Sequence, residues 1–488
     1  MKKRTFFVLT ALSLVLCLSI IYCGKAKETA SPKIAGDLIQ RINQGPFGFA
    51  IKVDPADISV ELLGEKQYLI TLKNTGMTFD TAALKDLNIG VPLKSIKIPL
   101  KTEELVLRYS PDKEYLAMVS GKGIVWDWDF SDVLNIPENQ PPGTNQKIQN
   151  MVLNLKIGSV AYKTFDISAL INPELKNIFQ LLKEMMHKNR SFEWSIKDLT
   201  YDIHLTDMQN REASIILEAE KMTGRQDVRA EVFIPLYEKE GQSPDFKKFL
   251  GQGTPLFNLE GDCSMFKLYL KKDGRIKGGN TVDKMSFSYF LKPDETGSAF
   301  IYGFTLDMNA FKLSLPLNKD AEMLSNIPRW GIAFSLENIS PGFAQAYFDL
   351  TKASMSRPVS TSQEDNQQIQ AQRMMMGMKI MNALVQSKPI IKFSFSPFKH
   401  YFGELTAEGK FQFLTLGPPV GKAELKILDV QGILKKLKEE DAISSKTVEW
   451  ISGFITAHVI KDGKGNGTIT FEIKKDQPGK YLLNGSPL

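Results

Sequence analysis

The sequence predicts an α+β protein, predominantly antiparallel β, whose long curved sheets carry short helices packed on one face, with strand–helix units that repeat. Three observations lead there. Apolar and polar residues alternate at period two along much of the chain, the mark of half-buried strands. Clusters of Gly, Pro and Asp separate these runs with turn chemistry. Phe occurs 30 times in 488 residues, and aromatic residues suit a pleated surface better than a helix bundle.

The N-terminal segment sets the address. Lys2-Lys3-Arg4 precedes an uncharged apolar run from Thr5 to Tyr22, then Cys23-Gly24-Lys25. A basic region followed by an apolar one reads as a bacterial export signal. Cys23 ends the run where a lipoprotein's acylated cysteine sits, although Tyr22 before it is larger than a lipobox normally carries. Three fates stay open: lipidation of Cys23, an uncleaved anchor long enough to span a bilayer, or release. The first two tether the body to the periplasmic face of a membrane. The three cysteines are Cys17, Cys23 and Cys263. With no CxxC among them, neither a redox nor a zinc site is suggested. The formal charge is +6, half of it from the first four residues, and 55 acidic residues balance the rest. That balance excludes a concentrated basic face, so no nucleic-acid partner is expected.

Along the body, Ile58, Val60 and Leu62 alternate with Ser59 and Glu61, and Gly64 to Gln67 turns the chain into Tyr68, Ile70 and Leu72. The same pattern recurs at Leu105–Tyr109, Tyr115–Val119 and Ile124–Phe130. A hairpin is predicted from Met285–Leu291 over Pro293 to Gly297 into Phe300–Leu306. Three strands run into a polar cap and a helix: near Asn172-Pro173, near Ser340-Pro341, and after Asp429. These recurrences suggest an internal structural repeat. The proline-rich run 136–145 and the Ser/Gln/Asn-rich run near 360 suggest boundaries. The expected organisation is an export signal or anchor (1–23), a tether (24–33), an N-terminal β region (34–140) and a central β-rich region with short helices (141–353). A disordered linker (354–372) and a C-terminal β region opening with a Met-rich helix (373–488) complete it.

Chemical motifs are sparse. His187, His204, His400 and His458 show no metal-ligand spacing, and neither a P-loop nor a GxSxG elbow is present. No metal or cofactor is expected. Lys461 to Gly467 is glycine-rich but sits between two strand patterns, so it reads as a hairpin loop rather than a phosphate cradle. In Trp126-Asp127-Trp128-Asp129-Phe130 a strand puts Trp126, Trp128 and Phe130 on one face and the two acids on the other. The rings suit a core or, in a functional variant, an apolar groove. Met374, Met375, Met378 and Met381 lie on a predicted helix, where flexible thioethers fill gaps or line an adaptable apolar surface.

The C-terminal third supports a resemblance. Glu337-Asn338-Ile339-Ser340-Pro341, the Met-rich helix, the strand pair around Leu405 to Leu416, the Ala423–Val430 strand with its helix, and the ending Tyr481-Leu482-Leu483-Asn484-Gly485-Ser486-Pro487-Leu488 follow one another. In this order they resemble the YdgA-like family of bacterial envelope proteins of unknown function, over roughly residues 330 to 488. The resemblance implies a periplasm-facing address and brings no catalytic residues.

Together these readings favour a non-enzymatic, membrane-anchored cell-envelope protein that binds or handles lipid or another apolar ligand. Trp126, Trp128, Phe130 and the four methionines are the candidate groove, and Cys23 is the candidate lipidation site. Two alternatives stay open: a protein-interaction scaffold lipoprotein with an envelope protein as partner, and an envelope hydrolase using acids such as Asp127 and Asp129.

Overall fold

The computed structural model of the chain describes residues 24–26, 32–44, 51–54, 56–80, 97–129, 148–207, 211–238, 242–314, 326–355, 363–400, 403–414, 418–439, 445–474 and 480–487. It is mostly antiparallel β, with eight helices among the described residues, as the alternation predicts. Cys23, Phe130 and the run 136–145 lie outside the described residues. Among the described residues no helix is long and apolar enough to cross a membrane.

The chain divides into two compact units, the first formed by Met1–Arg225, Tyr237–Glu240 and Leu270–Arg275. Its strands are β1 (Gly24–Ala26), β2 (Ile51–Asp54), β3 (Ala56–Gly64), β4 (Gln67–Asp80), β5 (Lys97–Ser110), β6 (Tyr115–Asp129), β7 (Ile148–Asp166) and β8 (Ser191–Asp207). From β3 to β8 each strand pairs antiparallel with the next where a register is defined, while β1 lies parallel to β3. Alternation is realised residue by residue: Ile58 and Val60 are buried, and their neighbours Asp57 and Glu61 face water.

Two helices close the apolar face of this first sheet. Helix α1 (Pro32–Gln44) buries Ala35, Leu38 and Ile42, spaced i, i+3, i+7 along one stripe. Helix α2 (Ile178–Lys188) adds Leu181, Leu182 and Met185. Beneath them Leu72, Leu105 and Leu153 are fully buried, each contributing about 1.5–3 kcal/mol of apolar burial. A polar knot fixes the corner that joins β7 to α2. Asn189 accepts from the Asp166 amide at 2.7 Å and donates its side-chain amide to the carbonyls of Asp166 and Met185.

The second unit comprises Gln226–Leu236, Gly241–Tyr269 and Ile276–Leu488. It opens with helices α3 (Ala230–Tyr237) and α4 (Lys247–Leu250), then β10 (Phe257–Lys272); β9 (Glu212–Val228), which precedes them, starts in the first unit. Next come β11 (Arg275–Pro293), β12 (Phe300–Ser314) and β13 (Asn326–Ile339), then helices α5 (Pro341–Met355) and α6 (Gln363–Ser387). Strands β14 (Ile390–His400), β15 (Gly403–Gln412) and β16 (Val420–Leu428) lead to helices α7 (Val430–Glu439) and α8 (Ser445–His458). The chain ends with β17 (Ile460–Lys461), β18 (Gly467–Ile473), β19 (Tyr481–Leu483) and β20 (Ser486–Pro487). Strands β11 to β16 form one antiparallel meander, and β18 adds beyond β16.

The predicted hairpins are present. Asp294 closes the β11–β12 turn by accepting from the amides of Ser298 and Ala299, and Asp462 accepts from Lys464 and Asn466 in the β17–β18 turn. The strand-to-helix corners also follow the sequence: Ser340 caps α5 through the Phe343 amide, and Asp429 caps α7 through Gly432.

Two segment boundaries differ from expectation. Strand β7, beyond the proline-rich run, returns onto β6, so both sides of residue 140 belong to the first unit. The linker expected over 354–372 is helical at both ends, with α5 reaching Met355 and α6 starting at Gln363. Residues 363 to 373 contain no Gly or Pro, and their Gln, Glu, Ala and Arg are good helix formers, so polarity there did not mean disorder.

Candidate functional site: an aromatic sheet face

Directly paired residues of antiparallel strands stand on the same face, so the registers of the second unit give the content of each side. Tyr289 pairs with Phe304, Leu291 with Tyr302 and Phe287 with Leu306. The next pairings carry this face from Phe304 to Phe334 and from Leu306 to Ile332, then from Phe334 to Phe393 and from Ile332 to Phe395. Phe411, Leu425 and Phe471 continue it across β15, β16 and β18. At about 4.8 Å per strand, the seven strands β11–β16 and β18 make rows of about 29 Å. One leaflet of bilayer hydrocarbon is about 15 Å thick, so a row exceeds the length of an acyl chain packed in a membrane.

Ring contacts run along the rows. Phe257 meets Tyr289 at 5.4 Å, Tyr289 meets Tyr302 at 5.3 Å, and Tyr302 meets Phe334 at 6.5 Å, all edge to face. A second run links Phe393 to Phe411 at 6.4 Å, Phe411 to Phe471 at 6.2 Å and Phe471 to Tyr481 at 6.1 Å. Each such pair adds about 0.5–1.5 kcal/mol beyond its area.

The opposite face is charged. Lys392 pairs with Glu337 at 2.7 Å, Arg329 with Asp307 at 2.9 Å, and Glu424 with both Lys422 and Lys426. Hydrogen bonds from those two lysines hold the Glu424 carboxyl below its ordinary range. The sheet is therefore sided, one face wet and the other apolar.

Helices reach the apolar face at two ends. Around Phe300 and Ile339, helices α3 to α5 form a cluster with Val232, Phe249 and Phe348. Around Ile427, helices α7 and α8 contribute Val430, Ile433 and Ile455. Between the clusters, and in neither, Phe304, Phe334, Phe393 and Phe411 are half-buried. Tyr289 and Phe395 are 39% and 40% exposed. The middle of the face is an aromatic floor bounded by helical walls. Trp330, which pairs with Met308 on the same face, carries an indole N–H that finds no acceptor among the described residues.

The residues singled out in the sequence are placed as follows. Trp126 is 1% exposed inside the helix-covered core of the first unit, so it offers no surface to a ligand. Trp128 stacks on it at 6.0 Å and packs against the same core. Burial of Trp126 in this core leaves that ring no groove to line. Asp127 and Asp129 are exposed on the other side of the strand. Met374, Met375, Met378 and Met381 are all exposed on α6, at 54–71%, and belong to the second unit. The tryptophans and the methionines thus belong to different units. His204 Nδ1 lies 2.9 Å from Ser214 Oγ, and among the described residues no three His, Cys, Asp or Glu gather to hold a metal.

Sequence reasoning missed the floor itself, Tyr289, Tyr302, Phe304, Phe334, Phe393 and Phe411. The signal was present in the alternating aromatics of β11, β12 and β14, but alternation alone does not say which apolar face a helix covers. Comparison with protein-family models, with curated proteins and with solved structures finds no match to this chain.

Proposed function

We propose that this protein is a non-enzymatic component of the cell envelope, tethered to a membrane through its N-terminus, whose second unit holds a lipid or other elongated apolar ligand on its aromatic floor. One observation carries the reading. The first unit closes its apolar sheet face with α1 and α2, whereas the second leaves half-buried rings and the exposed Tyr289 and Phe395 between two helical walls. A water-facing apolar strip of this kind marks a ligand or partner site. The rows are longer than a packed acyl chain, and about 0.8 kcal/mol per buried methylene gives such a chain ample driving force. The envelope address rests on the basic and apolar N-terminal segment and on the resemblance of residues 330 to 488.

The test is native mass spectrometry of delipidated protein offered a mixed lipid extract. Wild type retains acyl-chain ligands and Phe334→Ser with Phe393→Ser does not, while Trp450→Ser on α8 retains them. Recovery of no apolar ligand by wild type would sink the proposal. Labelling with a fatty-acid probe, with Cys23→Ala as control, decides between an acylated tether and an uncut one.

A second reading is favoured by the exposed Met374, Met375, Met378 and Met381, a thioether surface suited to a partner protein. Crosslinking from α6 in cells yields protein adducts under this reading and lipid adducts under the first.

A further inference from the structure

We propose that the tip of the β10–β11 hairpin is a second membrane contact, which sets two aliphatic side chains into the interface of an anionic phospholipid bilayer and holds them there with basic residues. The inference goes beyond the N-terminal tether and does not depend on what the aromatic floor holds. It starts from the turn. Asp273 and Gly274 join the two strands with φ of +51° and +72°, the two positive values that a two-residue type I′ turn requires. The strands therefore run to the end of the hairpin, and residues 272–277 are all exposed.

The second step is the apolar content of this tip. Leu270 is 48% exposed and Ile276 is 55% exposed. A two-residue turn sets Lys272 opposite Arg275, so Leu270 stands on their face of the hairpin and Ile276 on the other. Each face of the tip thus offers one branched aliphatic side chain to water. Single apolar residues are ordinary on a surface. Two on opposite faces of one tip suit entry into a fluid that surrounds it, which a bilayer is and the flat face of a protein is not.

The third step is charge. The chain as a whole is near balance, yet residues 270–277 hold Lys271, Lys272, Arg275 and Lys277 against Asp273 alone. The Glu212 carbonyl on β9 accepts from the Asp273 amide at 3.0 Å, which brings one further acid beside the turn and still leaves the cations in excess. Among the described residues none of these four cations meets an acid within salt-bridge distance. Anionic head groups attract lysine and arginine held near the surface, and their long side chains reach the phosphates while the aliphatic groups sit deeper. A nucleic acid would use the charge but leave Leu270 and Ile276 in water, and residues 270–277 hold no aromatic ring on which a base could stack.

Tryptophan emission from the full chain on vesicles tests this, with Ile276→Trp as the local probe and the wild-type spectrum subtracted. The vesicles are phosphatidylcholine alone or mixed with phosphatidylglycerol, each with brominated acyl chains as the quencher. The added ring should be quenched on the anionic vesicles and much less on the neutral ones. Adding Lys272→Gln, Arg275→Gln and Lys277→Gln should lower the ratio of inserted to free tips about fivefold per cation removed. Adding Leu270→Ser instead, with the charges intact, should lower it about tenfold or more. These positions are exposed, so the urea midpoint should stay near that of wild type. No quenching on anionic vesicles overturns the inference, and so does equal quenching on both kinds, as the N-terminal segment alone would give. Quenching that survives either set of changes also overturns it. None of these outcomes bears on lipid retention by the aromatic floor.

Discussion

Phe393 lies over Gly409, its direct partner on β15, so closely that a Cβ added to the glycine would collide with the phenyl ring. The glycine leaves a socket in the aromatic floor, and the ring fills it. Such pairing also compensates the lack of a side chain on the strand, a device that pins register.

The first prediction follows from that socket. Gly409→Val forces the Phe393 ring out of place and should cost about 1–3 kcal/mol, as overpacking does. Urea unfolding checks the stability, and apolar-probe binding should weaken in the same variant. Gly463→Val, where an added Cβ meets nothing within 4 Å, should leave binding unchanged.

The β7–α2 corner gives the second. Asn189, 7% exposed, makes three hydrogen bonds there, and Asn189→Ala leaves the Asp166 amide and carbonyl without them. The expected cost is about 1–3 kcal/mol. Asn177→Ala, which removes only the cap on the Gln180 amide, should cost about 1 kcal/mol. Chemical unfolding followed by tryptophan emission reads both.

Much of this architecture is legible in the sequence, and the limits are instructive. The alternation in Met285–Leu291 and Phe300–Leu306 predicts β11, β12 and the turn at Asp294. Polar caps before Pro341 and after Leu428 predict α5 and α7. Trp126 and Phe395 occupy similar alternating patterns, yet one is sealed and the other is wet. That difference comes from packing, which no local pattern records: Trp126 lies in the core to which α1 adds Ala35, Leu38 and Ile42, whereas neither core cluster of the second unit holds Phe395. The four α6 methionines show the converse: their apolar character suggests burial, but the helix exposes them.

Asp429 supplies the third prediction. Its backbone sits at φ +52°, in the left-handed region that Asn and Asp tolerate better than most residues, and its carboxylate caps Gly432 at 2.9 Å. Asp429→Ala loses the cap and keeps the strain, for an expected cost of about 1–2 kcal/mol. Asp429→Asn keeps both functions and should cost markedly less. Thermal unfolding separates the two variants.

Cys263 gives the fourth. It is buried, and burial raises its thiol from 9.0 to about 11. At pH 8 the native thiolate fraction is then about one thousandth. Reaction with a disulfide reagent, followed on the Cys263 peptide, should be at least about a hundredfold slower than in denaturant. Because the folded-state value lies above the unfolded one, the thiol's contribution to stability is present in full below pH 9 and lost between pH 9 and about 11. Cys263→Ser should remove that part of the alkaline loss.

The central claim is that the open face of the second unit, not the closed face of the first, receives an apolar chain. The most direct measurement is photo-crosslinking of the full chain with a long-chain acyl ester carrying a photoreactive group mid-chain, with the adducts mapped by peptide mass spectrometry. The account predicts adducts on β11 to β14, on peptides containing Tyr289, Phe304, Phe334 and Phe393. Adducts confined to the first unit or to the exposed side chains of α6 and α8, or no adduct at all, would contradict it.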